Sequence, residues 1–369
     1  MRAVVTGGGG FLGGRIVELL RARGDEVRAL ARRRYPGVEA LGAAGIALDI
    51  RDTPAVRAAL EDADVVFHVA GKTGYWARRK EFWSVNVDGT RSVLEAVRAA
   101  GVRRLVYTST PSVVGYARDV DNGGPDLPYA AIHEGAYPES KAEAERLVLA
   151  ANGSRVATVV VRPHLIVGPG DHQMMPRVVQ RAAQGRLRII GDGRNRVDLT
   201  YIDNAAWAHL DAADALTGHG AACAGKAYFI SNGQPVLLWE WLNRLLHDLG
   251  LPPVARSLSL RTARVAATAA EILWRAFRIR GEPPITRFLA SALARSHWYD
   301  LEPARRDLGY RIRVPMEEAT RRTARWLAER LELGGAAESS LRLTANRIGT
   351  SPLPERPRVY HVGKRSPRS

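Results

Sequence analysis

The sequence predicts an α/β fold whose core is a doubly wound parallel sheet. Three observations support this prediction: apolar runs of strand length alternate with helical stretches, these runs lack a polar face, and a glycine cluster follows the first of them. Strands of a parallel sheet that helices cover on both faces are almost continuously apolar. With 369 residues, 46% of them hydrophobic, the chain has enough apolar material for one large domain or two interleaved ones.

The predicted elements follow one another through the first 165 residues. A strand over 2–6 leads through four glycines into a helix over 11–23, which Gly24 ends. Further strands are predicted at 26–31, 45–50, 63–70, 103–109 and 156–163. We therefore assign residues 1–165 to the sheet domain. Residues 166–334, where loops rich in Gly and Pro replace the alternation, form a smaller region partly interleaved with the sheet, and 335–369 are predicted to be a disordered basic tail.

Composition and charge exclude several classes of protein. The net charge of +16 comes from 54 basic and 38 acidic residues, but only five of the basic residues are lysines and the arginines are scattered, which argues against a nucleic-acid surface. The single cysteine, Cys223, excludes an internal disulfide framework and a multi-cysteine metal site, and we expect no metal. Neither an export signal nor a membrane-spanning run is recognisable, so we expect a cytoplasmic protein. Contact with an acidic membrane surface stays open.

A glycine-rich turn follows the first predicted strand and opens the first helix. The sequence TGGGGFLG places Gly7, Gly10 and Gly13 in the spacing GxxGxxG. The first glycine permits a tight turn, the second lets the backbone approach a pyrophosphate, and the third lets helix and strand pack closely. The N-terminus of such a helix offers unpaired N–H groups to phosphates. A flexible turn is the alternative, but the strand, turn and helix context favours a Rossmann-type dinucleotide site.

The end of the second predicted strand indicates which dinucleotide binds. An acidic residue at this point would hold the ribose 2′-hydroxyl of NAD, whereas a 2′-phosphate requires cations. The strand ends in ALARRR, with Ala31 in the acidic position and Arg32 directly behind it. We therefore predict that the site takes NADPH or NADP+, with Arg32 on the 2′-phosphate and with Asp49 and Ile50 beside the adenine.

The pentapeptide YPESK places Tyr137 and Lys141 at positions i and i+4, on one face of a helix. In isolation such a pair is more often a surface feature. The chain also carries Ser109 and Thr110 after the fifth predicted strand, on the carboxyl side of the sheet, where open α/β folds bind ligands. The glycine turn, this hydroxyl and the YxxxK helix together resemble the extended short-chain dehydrogenase/reductase family, over about residues 2–330.

This resemblance implies a nicotinamide-dependent oxidoreductase. It implies that Tyr137 donates the proton, that Lys141 holds the nicotinamide ribose, that Thr110 rather than Ser109 binds the substrate oxygen, and that Asn86 helps to order the proton path. Lowering a phenol pKa from near 10 toward 7 needs about 4 kcal/mol, which we expect the Lys141 charge to supply. The further predicted cofactor contacts are Phe11, Leu12, Val69, Ala70, Pro163, Leu165 and Ile166.

The substrate half carries a narrower resemblance. The segments AGKTGYW, VRPHLIVGPGD, RVDLTYIDNAA and GEPPITRFLA are similar to the bacterial 2-alkyl-3-oxoalkanoate reductases of long-chain olefin biosynthesis. This resemblance implies NADPH-dependent reduction of a lipid-like 3-keto acid and assembly with β-lactone-forming and decarboxylating enzymes. We also expect a homo-oligomer. The alternatives are a 3β-hydroxysteroid or sterol-4α-carboxylate 3-dehydrogenase and, outside the enzymes, a sensor or scaffold that binds NADP without turnover.

A carboxylate with apolar chains requires a cation beside an apolar groove. Lys72, in the loop after the fourth predicted strand, is our candidate, and His164 is a second, although its backbone more simply flanks the nicotinamide. The segment 261–279 is amphipathic, with arginines opposite a stripe that contains Val265 and Ile272. An ordinary helix packed on the domain is the favoured interpretation; a cavity wall or a helix on a membrane surface is the alternative.

Overall fold

The computed structural model describes the backbone of residues 1–342 and the side chains of residues 1–330. Residues Met1–Leu327 form one compact unit. Seven strands build its main sheet: β1 (Arg2–Thr6), β2 (Glu26–Ala31), β3 (Ala44–Ala47), β4 (Val65–His68), β5 (Arg104–Thr108), β7 (Ala157–Pro163) and β12 (Ala227–Ile230). Their order is β3-β2-β1-β4-β5-β7-β12, and every neighbouring pair is parallel. The predicted doubly wound α/β fold is confirmed.

Thirteen α-helices are described, and several of them cover the two faces of this sheet. They are α1 (Phe11–Ala22), α2 (Pro36–Ala40), α3 (Thr53–Ala59), α4 (Arg79–Trp83), α5 (Gly89–Ala99), α6 (Ala136–Ala150), α7 (Met175–Ala183), α8 (Ile202–Ala215), α9 (Leu238–Asp248), α10 (Leu260–Ala276), α11 (Arg287–Ala294), α12 (Glu302–Leu308) and α13 (Met316–Arg342). Alternate residues of β1 belong to different cores, Ala3 and Val5 to one and Val4 to the other. Burial on both faces explains why the strands have no polar side.

The first six strands of the main sheet match the predicted ones, with β1 and β2 in agreement at both ends. The seventh strand, β12, was not predicted. It pairs in parallel with β7 along the edge of the sheet, so the C-terminal region contributes a strand to the N-terminal sheet. Its sequence AYFI has only four residues and lies between loops, so periodicity does not reveal a strand there.

Shorter strands form three small sheets beside the main one. They are β6 (Val120–Gly123), β8 (Ile166–Val167), β9 (Ile189–Ile190), β10 (Arg196–Val197), β11 (Thr200–Tyr201), β13 (Val236–Leu237), β14 (Ser257–Leu258) and β15 (His297–Tyr299). The largest of these sheets has the order β13-β10-β15-β6. It therefore joins a strand that lies between β5 and α6 with strands from the C-terminal region.

Two features of the C-terminal region differ from the predictions. Helix α10 is packed on the domain as the favoured interpretation states, but through Ala263, Ala267 and Glu271, whereas the apolar stripe with Val265 and Ile272 is exposed. Residues 335–342 of the predicted tail belong to α13, and 343–369 lie outside the described residues. Residues from Ala328 onward form a second unit, of which the structure describes only the end of α13.

Among the described residues, none of the helices combines the length and the apolar composition that a membrane span would require.

Candidate active site

The glycine turn between β1 and α1 is tightly packed. Gly7 has φ of +72°, and a Cβ there would lie 2.9 Å from the backbone of Ala70. A Cβ on Gly13 would lie 2.2 Å from the carbonyl oxygen of Gly7, so only glycine lets α1 approach the turn this closely. A Cβ on Gly10 would meet only the Gly7 carbonyl oxygen, at 3.2 Å. Gly7 therefore forms the tight turn and Gly13 allows the close packing that the spacing predicts.

The N-terminus of α1 suits an anionic group. Its N-cap, Gly10, provides no side-chain cap, and the first turn of α1 contains no acidic residue. The first backbone N–H groups of a helix lack intrahelical partners and carry partial positive charge. Gly10, Phe11 and Leu12 line a large cavity. The turn and helix therefore fit the pyrophosphate of a dinucleotide.

The end of β2 presents positive charge to the same cavity. Arg32 is exposed and lines the cavity, as do Asp49 and Ile50. The Asp49 carboxylate is ion-paired with Arg51 at 2.6 Å. Hydrogen bonding to Arg51 lowers the pKa of Asp49, and the charge of Arg32 adds to this effect. Because Arg51 neutralises the Asp49 carboxylate, the charge of Arg32 makes the end of β2 cationic.

Helix α6 carries Tyr137, Lys141 and Glu145 at successive i, i+4 positions. Tyr137 lines the cavity beside Thr110. Burial raises the pKa of the Tyr137 phenol to about 12, and a hydrogen bond with Thr110 acts in the opposite direction. Ser109 instead donates its hydroxyl hydrogen to Glu145 in the interior. The structure thus places Thr110, and not Ser109, next to the phenol.

Lys141 lies deeper than Tyr137. Its Nζ donates to the Tyr107 hydroxyl at 2.7 Å and to the Thr108 carbonyl at 2.7 Å. Burial lowers the pKa of Lys141 to about 7, while the Glu145 carboxylate opposes this shift. The expected net lowering of the Tyr137 pKa toward 7 is wrong for the protein without cofactor, because burial of the phenol outweighs the hydrogen bond with Thr110. The phenol is therefore protonated at neutral pH.

A buried charge network below Lys141 escaped the sequence analysis. Glu145 is ion-paired with Arg162, and both side chains are almost completely buried. Glu145 also accepts hydrogen bonds from Tyr129, at 2.8 Å, and from Ser109. The spacing of Glu145 from Lys141, one further helical turn, was the available signal. The network ties α6 to the ends of β5 and β7.

Asn86 lies in a π-helical turn, Ser84–Asp88, between α4 and α5. Its Oδ1 accepts from the backbone N–H of Lys72 at 2.7 Å. Its Nδ2 donates to the Ser140 hydroxyl at 2.9 Å and to the Lys72 carbonyl at 3.1 Å. Asn86 therefore fixes the loop after β4 against α6, one residue away from Lys141. π-Helical turns are often found at functional sites.

The two candidate substrate residues are engaged within the protein. The Lys72 ammonium is ion-paired with Glu81 at 3.2 Å. His164 is buried, with its Nε2 2.6 Å from Nδ1 of His297, whose own Nε2 is 2.8 Å from the Ala292 carbonyl oxygen. Burial lowers the pKa of His164 well below its ordinary value, so the ring is neutral. Lys72, His164 and His297 all line the cavity.

One cavity of about 1940 Å³ connects these groups. Ligand pockets usually measure about 300–1,000 Å³, so this cavity has room for a dinucleotide and a second molecule. The predicted positions Val69, Ala70, Pro163, Leu165 and Ile166 line it. Apolar residues of the C-terminal region line it too, namely Val178, Leu187, Leu238, Trp239, Leu242, Leu289 and Leu293, together with the charged residues Arg177, Arg181 and Glu282. The site can therefore accept an apolar substrate next to the phenol.

Comparison with known proteins finds relatives among dehydrogenases and reductases. Residues 4–260 match the model of the 3-beta hydroxysteroid dehydrogenase/isomerase family. The chain is 50% identical to a 2-alkyl-3-oxoalkanoate reductase of Stenotrophomonas maltophilia, over 87% of this chain and 98% of the relative. It is 34% identical to a mouse sterol-4-alpha-carboxylate 3-dehydrogenase, over 87% and 90% of the two chains. The crystal structure of a Streptomyces venezuelae dTDP-glucose 4,6-dehydratase double mutant with NAD bound superposes with a TM-score of 0.69 at 25% identity, covering 88% and 96% of the two chains.

The fold, the site and these relatives define an NAD(P)-dependent oxidoreductase of the extended short-chain dehydrogenase/reductase type. Within that class, the chain belongs to the 3-beta hydroxysteroid dehydrogenase/isomerase family. Its similarity to 2-alkyl-3-oxoalkanoate reductases is greater than its similarity to the sterol dehydrogenases.

Proposed function

We propose that this protein reduces the 3-keto group of a 2-alkyl-3-oxoalkanoic acid to a hydroxyl group, with NADPH as the cofactor. The observation that carries the proposal is the 50% identity to a 2-alkyl-3-oxoalkanoate reductase over 98% of that relative's length. Similarity over this length includes the substrate region as well as the dinucleotide site. The apolar residues that line the cavity are also what an acid with long alkyl chains requires.

The preference for NADPH is supported by the charge at the end of β2. Arg32 is exposed at the cavity, and Ala31 stands where an acid would otherwise meet the ribose. A guanidinium forms strong, bidentate contacts with phosphate oxygens. Gly7, Gly10 and Gly13 would allow the pyrophosphate to approach the N-terminus of α1, and the bound NADPH would supply the hydride.

The chain's own contribution is to hold the carbonyl oxygen and to give it a proton. Thr110 and Tyr137 lie side by side at the cavity, and their hydroxyls would both contact that oxygen. As negative charge develops on it, the Tyr137 hydroxyl would transfer its proton. A pKa of about 12 keeps the phenol protonated beforehand, which is the form that reduction needs.

Lys141 would stabilise the phenolate that this transfer leaves. Two of its three donors bind Tyr107 and Thr108, which leaves one for the nicotinamide ribose. Asn86, which binds the loop after β4 and Ser140, would keep the path to Lys141 in order. Because burial lowers the pKa of Lys141 to about 7, its protonation would change within the physiological pH range.

Lys72 and His164 stay our candidates for binding the substrate carboxylate. Lys72 could bind it only by sharing its ammonium with Glu81, and His164 would contribute a neutral ring as part of the wall. The product, a 3-hydroxy acid, has the hydroxyl group that closure of a β-lactone consumes. We therefore propose that β-lactone-forming and decarboxylating enzymes of olefin biosynthesis act next and assemble with this one.

Steady-state assays of the full-length protein test the proposal. We expect turnover of a 2-alkyl-3-keto acid with NADPH, a lower kcat/KM with NADH, and little oxidation of a 3β-hydroxysteroid. The steroid is the second candidate because residues 4–260 match a hydroxysteroid dehydrogenase family. Faster turnover of the steroid than of the keto acid would replace our proposal with the sterol alternative. Dinucleotide binding without turnover of either substrate would favour a sensor or scaffold.

A further inference from the structure

Exposed large apolar side chains concentrate in one stretch of the chain. Of the seven that are found among residues with described side chains, five lie in or directly after α10. These five are Val265 (71% exposed), Ile272 (61%), Leu273 (46%), Phe277 (74%) and Ile279 (40%). Large side chains of this kind are normally buried, and a contiguous exposed group of them marks an interaction site.

The opposite face of α10 is packed on the protein. Ala263, Ala267 and Glu271, spaced four residues apart, are buried. The Glu271 carboxylate accepts from the backbone N–H of Arg287 at 2.8 Å and also binds its guanidinium. Glu271 therefore attaches α10 to the N-terminus of α11. With this face fixed, the apolar side chains of α10 point away from the core.

Positive charge runs along one edge of the apolar face. Arg261, Arg264 and Arg275 fall on the same side of α10, and Arg278 and Arg280 follow its end. Residues 260–281 contain these five arginines and one acidic residue, the buried Glu271. Within the part of the chain whose side chains are described, Arg264 binds Glu134 and Arg275 contacts both Glu271 and the Trp76 ring. The guanidiniums of Arg261, Arg278 and Arg280 have no ion pair in that part.

We propose that this surface, the outward face of α10 with residues 277–280, docks on an anionic lipid bilayer. A helix that lies in a membrane interface combines an apolar face with Lys or Arg beside it. Each basic residue near an anionic leaflet adds attraction. A protein partner would need to match a narrow apolar ridge with an acidic border. A bilayer satisfies both features without a specific shape.

Docking would bring the cavity to the lipid surface. Arg275 lies 5.2 Å from the centre of the Trp76 ring, and Trp76 lines the cavity. Residues 282–284, directly after the proposed surface, line it as well. An acid with two long alkyl chains resides in membranes rather than in water, so it could enter from the bilayer. This consequence rests on the proposed function, whereas the docking itself does not.

Flotation with lipid vesicles tests the proposal without any substrate. We expect the full-length protein to float with phosphatidylglycerol-containing vesicles and to bind pure phosphatidylcholine vesicles at least fivefold less. High salt should weaken the binding to anionic vesicles, because it screens the arginines. A triple variant, Val265→Ser with Ile272→Ser and Phe277→Ser, should lose most of the binding. Leu41→Ser is the control, because Leu41 is an exposed apolar residue far from α10 in the sequence. This variant should bind like the wild type.

Three results would overturn the proposal. They are absence of wild-type flotation, equal flotation of the triple variant, and conversion of a wild-type dimer into a monomer in the triple variant without any vesicle binding. The last result would assign the surface to a second copy of the chain. Turnover of a short-chain, water-soluble 2-alkyl-3-keto acid should be unchanged in the triple variant and shows that it is folded. If no keto acid is reduced by the wild type, the proposed function fails while the flotation result stands.

Discussion

The two ends of the cavity are built in different ways. At the dinucleotide end, Gly7, Gly10, Gly13 and Arg32 all come from the first 32 residues. At the substrate end, side chains from α7, α9 and α11 line the same cavity, although Val178 and Leu293 are more than 100 residues apart in sequence. Thr110 and Tyr137 lie between these two ends of the cavity and contribute to both.

The residues at the dinucleotide end of the cavity can vary less than the residues at the substrate end. A pyrophosphate and ribose require close approach of the backbone, which only a few residue types allow at fixed spacing. An apolar wall requires volume and shape, which many combinations of Leu, Val and Trp can supply. Substitutions at the dinucleotide end should therefore act on every substrate, and substitutions at the substrate end should act on some substrates only.

The largest effect is expected at the middle of the cavity. Tyr137→Phe should lower kcat for the keto acid by a factor of about 100 or more, because it removes the proton donor. NADPH affinity, followed by the fluorescence of the bound cofactor, should change little, since the ring remains. Unchanged turnover would reject the assignment of Tyr137. A parallel loss of NADPH binding would mean that the Tyr137 hydroxyl supports the dinucleotide end instead.

Gly13→Ala should damage the dinucleotide end through its packing. The new Cβ would lie 2.2 Å from the Gly7 carbonyl oxygen, and overpacking of this kind costs about 2 kcal/mol or more of unfolding free energy. Gly14→Ala is the matched control, because its Cβ would lie 3.6 Å from the nearest atom, the Gly8 carbonyl oxygen. In a helix that substitution should stabilise by about 0.5–1 kcal/mol. Urea unfolding of both variants measures the difference. Equal stabilities would contradict the close packing of the turn.

Arg32→Ala should sharpen the distinction between cofactors. Loss of a charge-assisted contact should raise the KM for NADPH about tenfold and leave the KM for NADH nearly unchanged. Arg34→Ala is the control, since Arg34 lies toward Glu39, at 3.9 Å, and does not line the cavity. If Arg32→Ala moves both constants equally, the arginine does not recognise a 2′-phosphate.

Tyr107→Phe should change the pH dependence of reduction. The wild-type rate should fall as the pH rises through the Lys141 pKa, because the neutral amine cannot stabilise the phenolate. Removing the Tyr107 hydroxyl deletes an acceptor for the ammonium and lowers the Lys141 pKa further, which should move this limb of the kcat profile down by about 1 pH unit. Tyr228→Phe, whose hydroxyl donates to Asp307, is the control. An unshifted limb in Tyr107→Phe would assign the titration to another group.

The smallest effect is expected at the apolar wall. Leu289→Gln should raise KM a few-fold for a long-chain keto acid, because apolar contact area is lost, and should leave a short-chain substrate unaffected. Comparing KM across a series of chain lengths checks this. An equal increase for all lengths would show that the wall acts on the whole cavity rather than on the alkyl chain.

How far the sequence could predict the site follows from the same comparison. The glycine turn and Thr110 were predictable because each lies within a few residues of a strand end, and the Tyr137 and Lys141 pair was predictable because the two residues are one helical turn apart. Glu145 and Tyr107, which contact the same centre, were missed although both lie on elements that were correctly predicted or anticipated. His297 had no local signal, since its partner His164 is more than 100 residues away.

The sequence by itself determined the parallel sheet, the glycine turn and the alignment of Tyr137 with Lys141, because these depend on backbone periodicity over a few residues. Only the tertiary structure decided that Tyr137 is less acidic than expected, that Lys72 is paired with Glu81, and that α10 exposes its apolar face. These properties depend on desolvation and on which distant groups come into contact. Both are set by packing, and packing is not encoded in any single stretch of the chain.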